Sequence, residues 1–203
     1  MAADGGKLAW LGENAAKLFL VGAALYAVFV ANQVLTTYTG TSYWFASTFA
    51  WAAWILVPLG VLGLYPALVE RRPYLSRAAA VVTVIPVLCS AIVFTGEIVE
   101  AAGILSEAPG VLALTPFVGI VTFYVALALF GVTVLIADVH PKAVGVLMLV
   151  IASLFPLDRT VLSGLPGFVP NGVELVAILA IGLVLLTEGV PTDEARTPAG
   201  PTP

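Results

Sequence analysis

Charged and amide side chains fall at places in this sequence where a membrane protein could use them for chemistry. In the stretch FTGEIVEAAG, Glu97 and Glu100 are three residues apart, so on a helix they share one face. Further polar residues interrupt or border other apolar stretches: Asn32, Gln33, Asp158, Arg159 and Glu174. Charge inside a bilayer is expensive and often marks a functional site. These groups could bind a solute, or a glutamate could act as a general acid or base.

The elements that must position these residues are membrane-spanning helices. Of the 203 residues, 61% are hydrophobic and 10% are charged, whereas an average soluble domain has about 25% charged residues. A helix needs about 20 mostly apolar residues to cross the hydrocarbon core. Six segments approach or meet this length: 18–38, 47–69, 78–102, 113–137, 143–158 and 171–188. We therefore expect an all-α integral membrane protein, a six-transmembrane-helix bundle.

The distribution of lysine and arginine predicts the orientation of the bundle. With the N-terminus inside, only Arg159 lies outside, and seven basic residues lie inside: Lys7, Lys17, Arg71, Arg72, Arg77, Lys142 and Arg196. The positive-inside rule therefore places both termini in the cytoplasm. We expect residues 1–17 to form a cytoplasmic flank, either plain or an amphipathic surface helix. Residues 18–188 are expected to form the membrane domain, and the proline-rich residues 189–203 a disordered cytoplasmic tail.

Counting helical rise from the cytoplasmic ends places several polar groups at a similar depth. Asn32 lies about 22 Å from the inner interface, and Glu174 lies about 21 Å from it. Asp158 and Arg159 lie at about 24–26 Å. Glu97 lies at about 30 Å, on the boundary between the bundle interior and the outer interface. These depths predict a polar cluster in the outer third of the bilayer.

Arg159 is the one basic residue expected in this outer region. A buried arginine requires carboxylate partners, so we expect a structural ion pair of Arg159 with Glu97, Glu174 or Asp158. The alternative is that Arg159 binds an anion or substrate in a pocket open to the outside.

The connection between the fifth and sixth helices is rich in glycine and proline. Because the flanking apolar segments are short, we expect residues 159–170 to fold back into the outer side of the bundle. Non-helical backbone at membrane depth must be buried in protein or line a wet cavity. The alternative is an ordinary surface loop above a locally thinned bilayer.

The scarcity of ligand-forming residues excludes most cofactor chemistry. One histidine, one cysteine and two methionines cannot form a bis-histidine haem, a thiolate cluster or a typical zinc site within one chain. The sequence contains no nucleotide-binding loop and no nucleophile elbow. It also has no basic patch for nucleic acid. We therefore expect no cofactor, no metal and no nucleic acid, with membrane lipids as partners.

Small residues line one face of the first predicted helix, at Ala23, Ala27 and Ala31. Such a ladder suits packing inside the bundle or docking of another subunit. Together with six spans in 203 residues, the layout resembles the substrate-binding subunits of vitamin-uptake transporters of the energy-coupling-factor type. The resemblance covers topology and implies no site residue. The alanine-, valine- and glycine-rich, lysine-poor composition fits a GC-rich prokaryote, and we expect the chain in its plasma membrane.

Three functional hypotheses follow from the sequence. The first is a small-molecule binding or transport protein with a site open to the outside, lined by Asn32, Gln33, Glu97, Arg159 and Glu174. The second is an intramembrane enzyme that acts on a lipid or isoprenoid, with Glu97 or Glu174 as general acid or base. The third is an accessory subunit of a membrane complex. The position and lining of the pocket distinguish the three.

Overall fold

The computed structural model describes residues 5–104 and 113–188, with side chains from Trp10 onward. Over this part of the chain seven helices follow one another: α1 (Gly5–Thr39), α2 (Phe45–Gly63), α3 (Tyr65–Arg71), α4 (Pro73–Ala101), α5 (Thr115–Ala137), α6 (Lys142–Thr160) and α7 (Phe168–Glu188). Helices α2 and α3 form one continuous span, Phe45–Arg71. The described residues thus contain six apolar helices long enough to cross a membrane, which confirms the predicted six-helix bundle. The predicted tail, 189–203, lies outside the described residues.

Proline marks the beginning of several of these helices. Pro66 stands in the first turn of α3, Pro73 begins α4, and Pro116 stands in the first turn of α5. The first amide groups of a helix have no intrahelical acceptor, so proline loses no hydrogen bond there. Pro73 and Pro116 therefore stand where a new span begins, whereas Pro66 stands at the α2–α3 junction within one span.

The first helix begins earlier than the sequence analysis places it. Residues 10–17, expected as a flank ahead of the membrane domain, continue α1, and Ala15 is fully buried. The reason is a close approach to α2, where a Cβ added to Gly63 would lie 2.9 Å from the Ala15 Cβ atom. Small residues such as glycine and alanine allow two helices to approach this closely. These residues of α1 therefore belong to the bundle.

Helix α1 lies between α2 and α7, and α5 lies between α4 and α6. The core is built from apolar side chains of these helices, with Phe19, Phe123 and Phe130 among the fully buried ones. Within the alanine ladder, Ala23 is 2% exposed, whereas Ala31 is exposed. Ala23 thus packs within the chain, and docking of another subunit along this helix stays a prediction.

Polar contacts link neighbouring elements at the predicted inner end of the bundle. The Nε2 atom of His140 lies 3.4 Å from the Leu64 carbonyl oxygen, and Arg72 donates to the carbonyl oxygen of Ile136 at 3.4 Å. Burial lowers the pKa of the His140 imidazole, which the Leu64 carbonyl only partly offsets. The neutral His140 side chain thus connects the turn before α6 to the α2–α3 junction.

The outer connection between α6 and α7 is a surface turn, so the expectation that 159–170 folds into the bundle is wrong. Helix α6 continues to Thr160, and most of residues 161–167 are exposed. The amides of Val161 and Leu162 donate to the Leu157 carbonyl oxygen at 2.9 and 2.8 Å. The turn forms local hydrogen bonds of its own at the end of α6 and needs no support from the bundle interior.

Candidate functional site

Glu174 lies two turns into α7 and is 1% exposed. At 1.5 Å per residue it is about 9 Å from the start of α7 at Phe168. The hydroxyl groups of Tyr26 and Tyr124 each donate to its Oε2 atom at 3.1 Å. The two tyrosines come from α1 and α5, so the carboxylate joins three helices near the outer end of the bundle.

Amide groups extend this network toward the outer surface. The Tyr26 hydroxyl also lies 3.1 Å from Asn171 Oδ1, and its single proton can serve only one of the two acceptors at a time. The Asn171 side-chain amide donates to Gln33 Oε1 at 2.8 Å. Gln33 and Glu174, both predicted site residues, are therefore connected through Tyr26 and Asn171.

Aromatic rings form one side of the site. The Tyr124 ring stacks on Phe155 with centroids 5.2 Å apart, and the Trp54 ring meets Tyr124 edge-on at 6.3 Å. Trp54 stacks in turn on Phe123 at 5.0 Å. This aromatic group spans α2, α5 and α6, and it holds the Tyr124 hydroxyl against Glu174.

A cavity of about 100 Å³ borders the carboxylate, and we call it the Glu174 cavity. Its lining comes from α5, α6, the α6–α7 turn and the start of α7: Tyr124, Leu154, Phe155, Asp158, Gly167, Pro170, Asn171 and Glu174. The Oε1 atom of Glu174 is buried and has no hydrogen-bond partner among the described residues. The cavity therefore presents two carboxylates, one amide and one phenol on otherwise apolar walls.

Glu97 belongs to a different arrangement. It is half-buried on α4, and three donors on α2 reach it. Thr48 and Ser47 donate to Oε2 at 2.8 and 3.2 Å, and the Trp51 indole donates to Oε1 at 3.0 Å. A separate, wider cavity of about 490 Å³ runs past Glu97 and Glu100 and shares no lining residue with the Glu174 cavity. Glu97 thus fastens α4 to α2.

Asn32 lies on α1, and its side chain reaches the connection between α1 and α2. Its Oδ1 atom accepts a hydrogen bond from the backbone amide of Tyr43 at 2.9 Å. Its side chain therefore braces the outer turn, and no hydrogen bond joins it to Glu97 or Glu174 within the described residues.

Arg159 is exposed at the last turn of α6, with its guanidinium 5.7 Å from the centroid of the Phe155 ring. An ion pair joins Lys142 and Asp138 at 3.5 Å, and none of the described carboxylates lies within ion-pair distance of Arg159. The expected ion pair of Arg159 with Glu97, Glu174 or Asp158 is thus not formed. An exposed cation at a helix C-terminus is stabilised by water and the helix dipole, and it needs no buried partner.

The predicted cluster is therefore divided. Gln33, Glu174 and Asp158 belong to the Glu174 network or cavity, whereas Asn32, Glu97 and Arg159 lie elsewhere. The sequence analysis missed several members of the site: Tyr26, Tyr124, Phe155 and Asn171. A signal for two of them was present, because Tyr26 and Tyr124 lie well inside apolar segments rather than in an interfacial belt. Asn171 also precedes Glu174 by three residues, on the same helix face.

Fold and site together define a multi-pass membrane protein of six spanning helices that holds a buried carboxylate beside a small cavity. Comparisons with protein-family models, with curated proteins and with solved structures found no match for this chain. The described residues contain no group of three or more histidine, cysteine, aspartate or glutamate side chains that could hold a metal ion.

Proposed function

We propose that this protein binds a small polar solute in the Glu174 cavity, reached from the outer side, as a step in transport across the plasma membrane. The observation that carries the proposal is the Glu174 carboxylate, which is 1% exposed and leaves Oε1 without a partner beside the cavity. Leaving a buried polar atom unpaired is costly, and such atoms in native proteins call for an explanation. A solute that donates a hydrogen bond to Oε1 would supply that explanation.

The size of the cavity supports a small solute. A single water needs about 10–15 Å³ by this kind of measure, so a cavity of about 100 Å³ has room for several water-sized groups. Sites for drug-sized ligands are usually about 300–1,000 Å³. The proposal therefore concerns a compact molecule of a few heavy atoms.

The direction of access follows from the elements that form the rim. Asp158 lies at the end of α6, Gly167 lies in the exposed turn, and Pro170 lies in the first turn of α7. The positive-inside distribution predicts that this end of the bundle faces outward. Solute would then enter from the outside, between α6 and α7.

Thiol labelling from either side tests the accessibility of the cavity. In a Cys89→Ser background, Leu154→Cys places a thiol on the cavity wall, and Ile151→Cys places one a turn deeper, at a fully buried position outside the lining. Because only a hydrated thiol ionises and reacts, a membrane-impermeant methanethiosulfonate should modify Leu154→Cys about tenfold faster in right-side-out than in inverted vesicles.

The matched Ile151→Cys protein should react slowly from both sides. Modification of the two variants at equal rates, or faster modification of Leu154→Cys from the inside, would overturn the proposed outward-facing site.

A further inference from the structure

We infer that the solute of the Glu174 cavity is a small organic ammonium ion. The inference rests on the proposed function and narrows it to a class of substrate. It stands on three independent features of the cavity: its charge, its unpartnered carboxylate oxygen and its apolar wall.

The acidic groups of the lining favour a cationic ligand. Among the described residues, Glu174 and Asp158 are the carboxylic acids of the wall, and no lysine, arginine or histidine lines it. The neighbouring Arg159 is exposed and makes no ion pair with either carboxylate. A buried carboxylate without a cationic partner attracts a cation and repels an anion. An anionic substrate would place like charges together in a poorly solvated space.

The geometry around Glu174 leaves one oxygen for a ligand. Tyr26 and Tyr124 both donate to Oε2, whereas Oε1 receives no donor from the described residues. An ammonium group can donate to Oε1, or approach it as a methylated cation, without displacing either tyrosine. The tyrosines would then hold the carboxylate in place while the ligand pairs with its free side.

The rest of the wall favours carbon-bearing cations over metal ions. Leu154, Phe155 and Pro170 contribute apolar surface, whereas hard metal cations require six or more oxygen ligands. The ring of Phe155 already has a cation near it, since the Arg159 guanidinium lies 5.7 Å from its centroid. Aromatic rings stabilise alkylammonium groups in the same way. The charged nitrogen of an alkylammonium ion can therefore pair with the Glu174 carboxylate, and its carbon atoms can contact the apolar wall.

The test uses the full chain purified in detergent and a set of matched probes. Methylammonium and tetramethylammonium chloride are compared with sodium chloride at equal ionic strength. Choline is compared with the neutral alcohol in which a tert-butyl group replaces its trimethylammonium. We expect a saturable rise in the melting temperature and measurable heat of binding with the ammonium probes alone, since a ligand that binds the folded state stabilises it.

Two variants test whether the ammonium ion binds in the Glu174 cavity. Glu174→Gln keeps the shape and removes the charge, and it should weaken binding of tetramethylammonium by about tenfold or more. Glu100→Gln removes an exposed carboxylate outside the cavity and should leave the affinity unchanged. If Glu174→Gln does not fold, the comparison of choline with its neutral analogue in the unmodified protein still decides, with Asp158→Asn as the second variant.

Two results would overturn the inference. One is an equal response to choline and to its neutral analogue, or to sodium chloride. The other is no response to any ammonium probe while Leu154→Cys is still modified from outside, which leaves the proposed function in place and removes the substrate class. Failure of the labelling itself would instead overturn the proposed function.

Discussion

Two glutamates, Glu97 and Glu174, differ in the number of donors that reach them. Glu97 receives three hydrogen bonds distributed over both oxygens. Glu174 receives two, both on Oε2. A carboxylate whose two oxygens both accept hydrogen bonds from a neighbouring helix serves as a structural fastener. One with a free oxygen at a cavity remains available to a ligand, which is why the proposed site is at Glu174 rather than at Glu97.

Replacing Glu97 tests its structural role. Glu97→Gln replaces one acceptor oxygen by an NH₂ group. That NH₂ group then lies opposite a hydroxyl or indole donor, and the hydrogen bond at that position is lost. Hydrogen bonds between membrane helices average about 0.6 kcal/mol, and those to charged groups in proteins reach about 1.5–3 kcal/mol. We expect a loss of about 1–2 kcal/mol in the free energy of unfolding, measured by reversible unfolding in mixed micelles.

Glu100→Gln is the matched control for that measurement. Glu100 is exposed one turn along the same helix, so we expect a change within about 0.5 kcal/mol. Equal effects of the two substitutions would show that the hydrogen bonds of Glu97 do not fasten α4 to α2.

At the scale of helices, close backbone approach determines which side chains can meet in the cavity. Gly131 on α5 and Gly145 on α6 face each other, and a Cβ added at Gly145 would lie 2.9 Å from the Gly131 carbonyl oxygen. This contact brings α6 against α5 and so places Phe155 against Tyr124. Small residues at such a crossing allow this proximity. The aromatic side of the site thus depends on two glycines at the other end of the same helix pair.

Substitution at this crossing should therefore reduce stability. A methyl group at Gly145 has to displace backbone as well as the Leu135 side chain, and overpacking of this kind costs about 1–3 kcal/mol. We expect Gly145→Ala to lower the free energy of unfolding by that amount, measured in the same mixed-micelle titration.

Gly172→Ala on α7 serves as the comparison, because a Cβ there has no neighbour within 4 Å. Alanine is a better helix former than glycine, so we expect no loss and a gain of up to about 1 kcal/mol. Destabilisation by Gly172→Ala equal to that of Gly145→Ala would argue against a special α5–α6 contact.

At the scale of the whole molecule, orientation decides from which side the Glu174 cavity is reached. Six spans place the described connections alternately on two sides, and the basic residues cluster on one of them. The positive-inside rule then predicts that the end of the bundle that carries the α6–α7 turn faces outward. The same prediction puts His140 and the α3–α4 junction on the cytoplasmic side.

Reporter fusions check this orientation. Fusions truncated after Arg72 and after Lys142 should report the cytoplasm, because each keeps basic sequence at its connection. Fusions after Gly40, Gly103 and Gly164 should report the outside. The reverse pattern would invert the bundle and place the cavity on the cytoplasmic side, and identical reports from Gly40 and Arg72 would contradict the crossing by α2 and α3.

The number and approximate limits of the spans were determined by the sequence alone. In hydrocarbon every backbone group must bond within its own helix, so a sufficient length of apolar residues specifies a span without knowledge of its neighbours. One exception to this agreement is the beginning of the first span. Residues 10–17 belong to the bundle because Gly60 and Gly63 on α2 let this part of α1 pack closely against α2. The two glycines lie far along the chain from residues 10–17, so the local sequence does not show this contact.

Only the tertiary structure decided which polar residues meet. Helical rise gives the depth of a residue along the membrane normal, but the direction of its side chain around the helix axis depends on how that helix is rotated against its neighbours. Glu97 turned toward α2, Glu174 toward α1 and α5, and Arg159 toward the surface. Depth counting did not separate them into different sites, and their surroundings differ because the rotation of each helix is set by packing across the whole bundle.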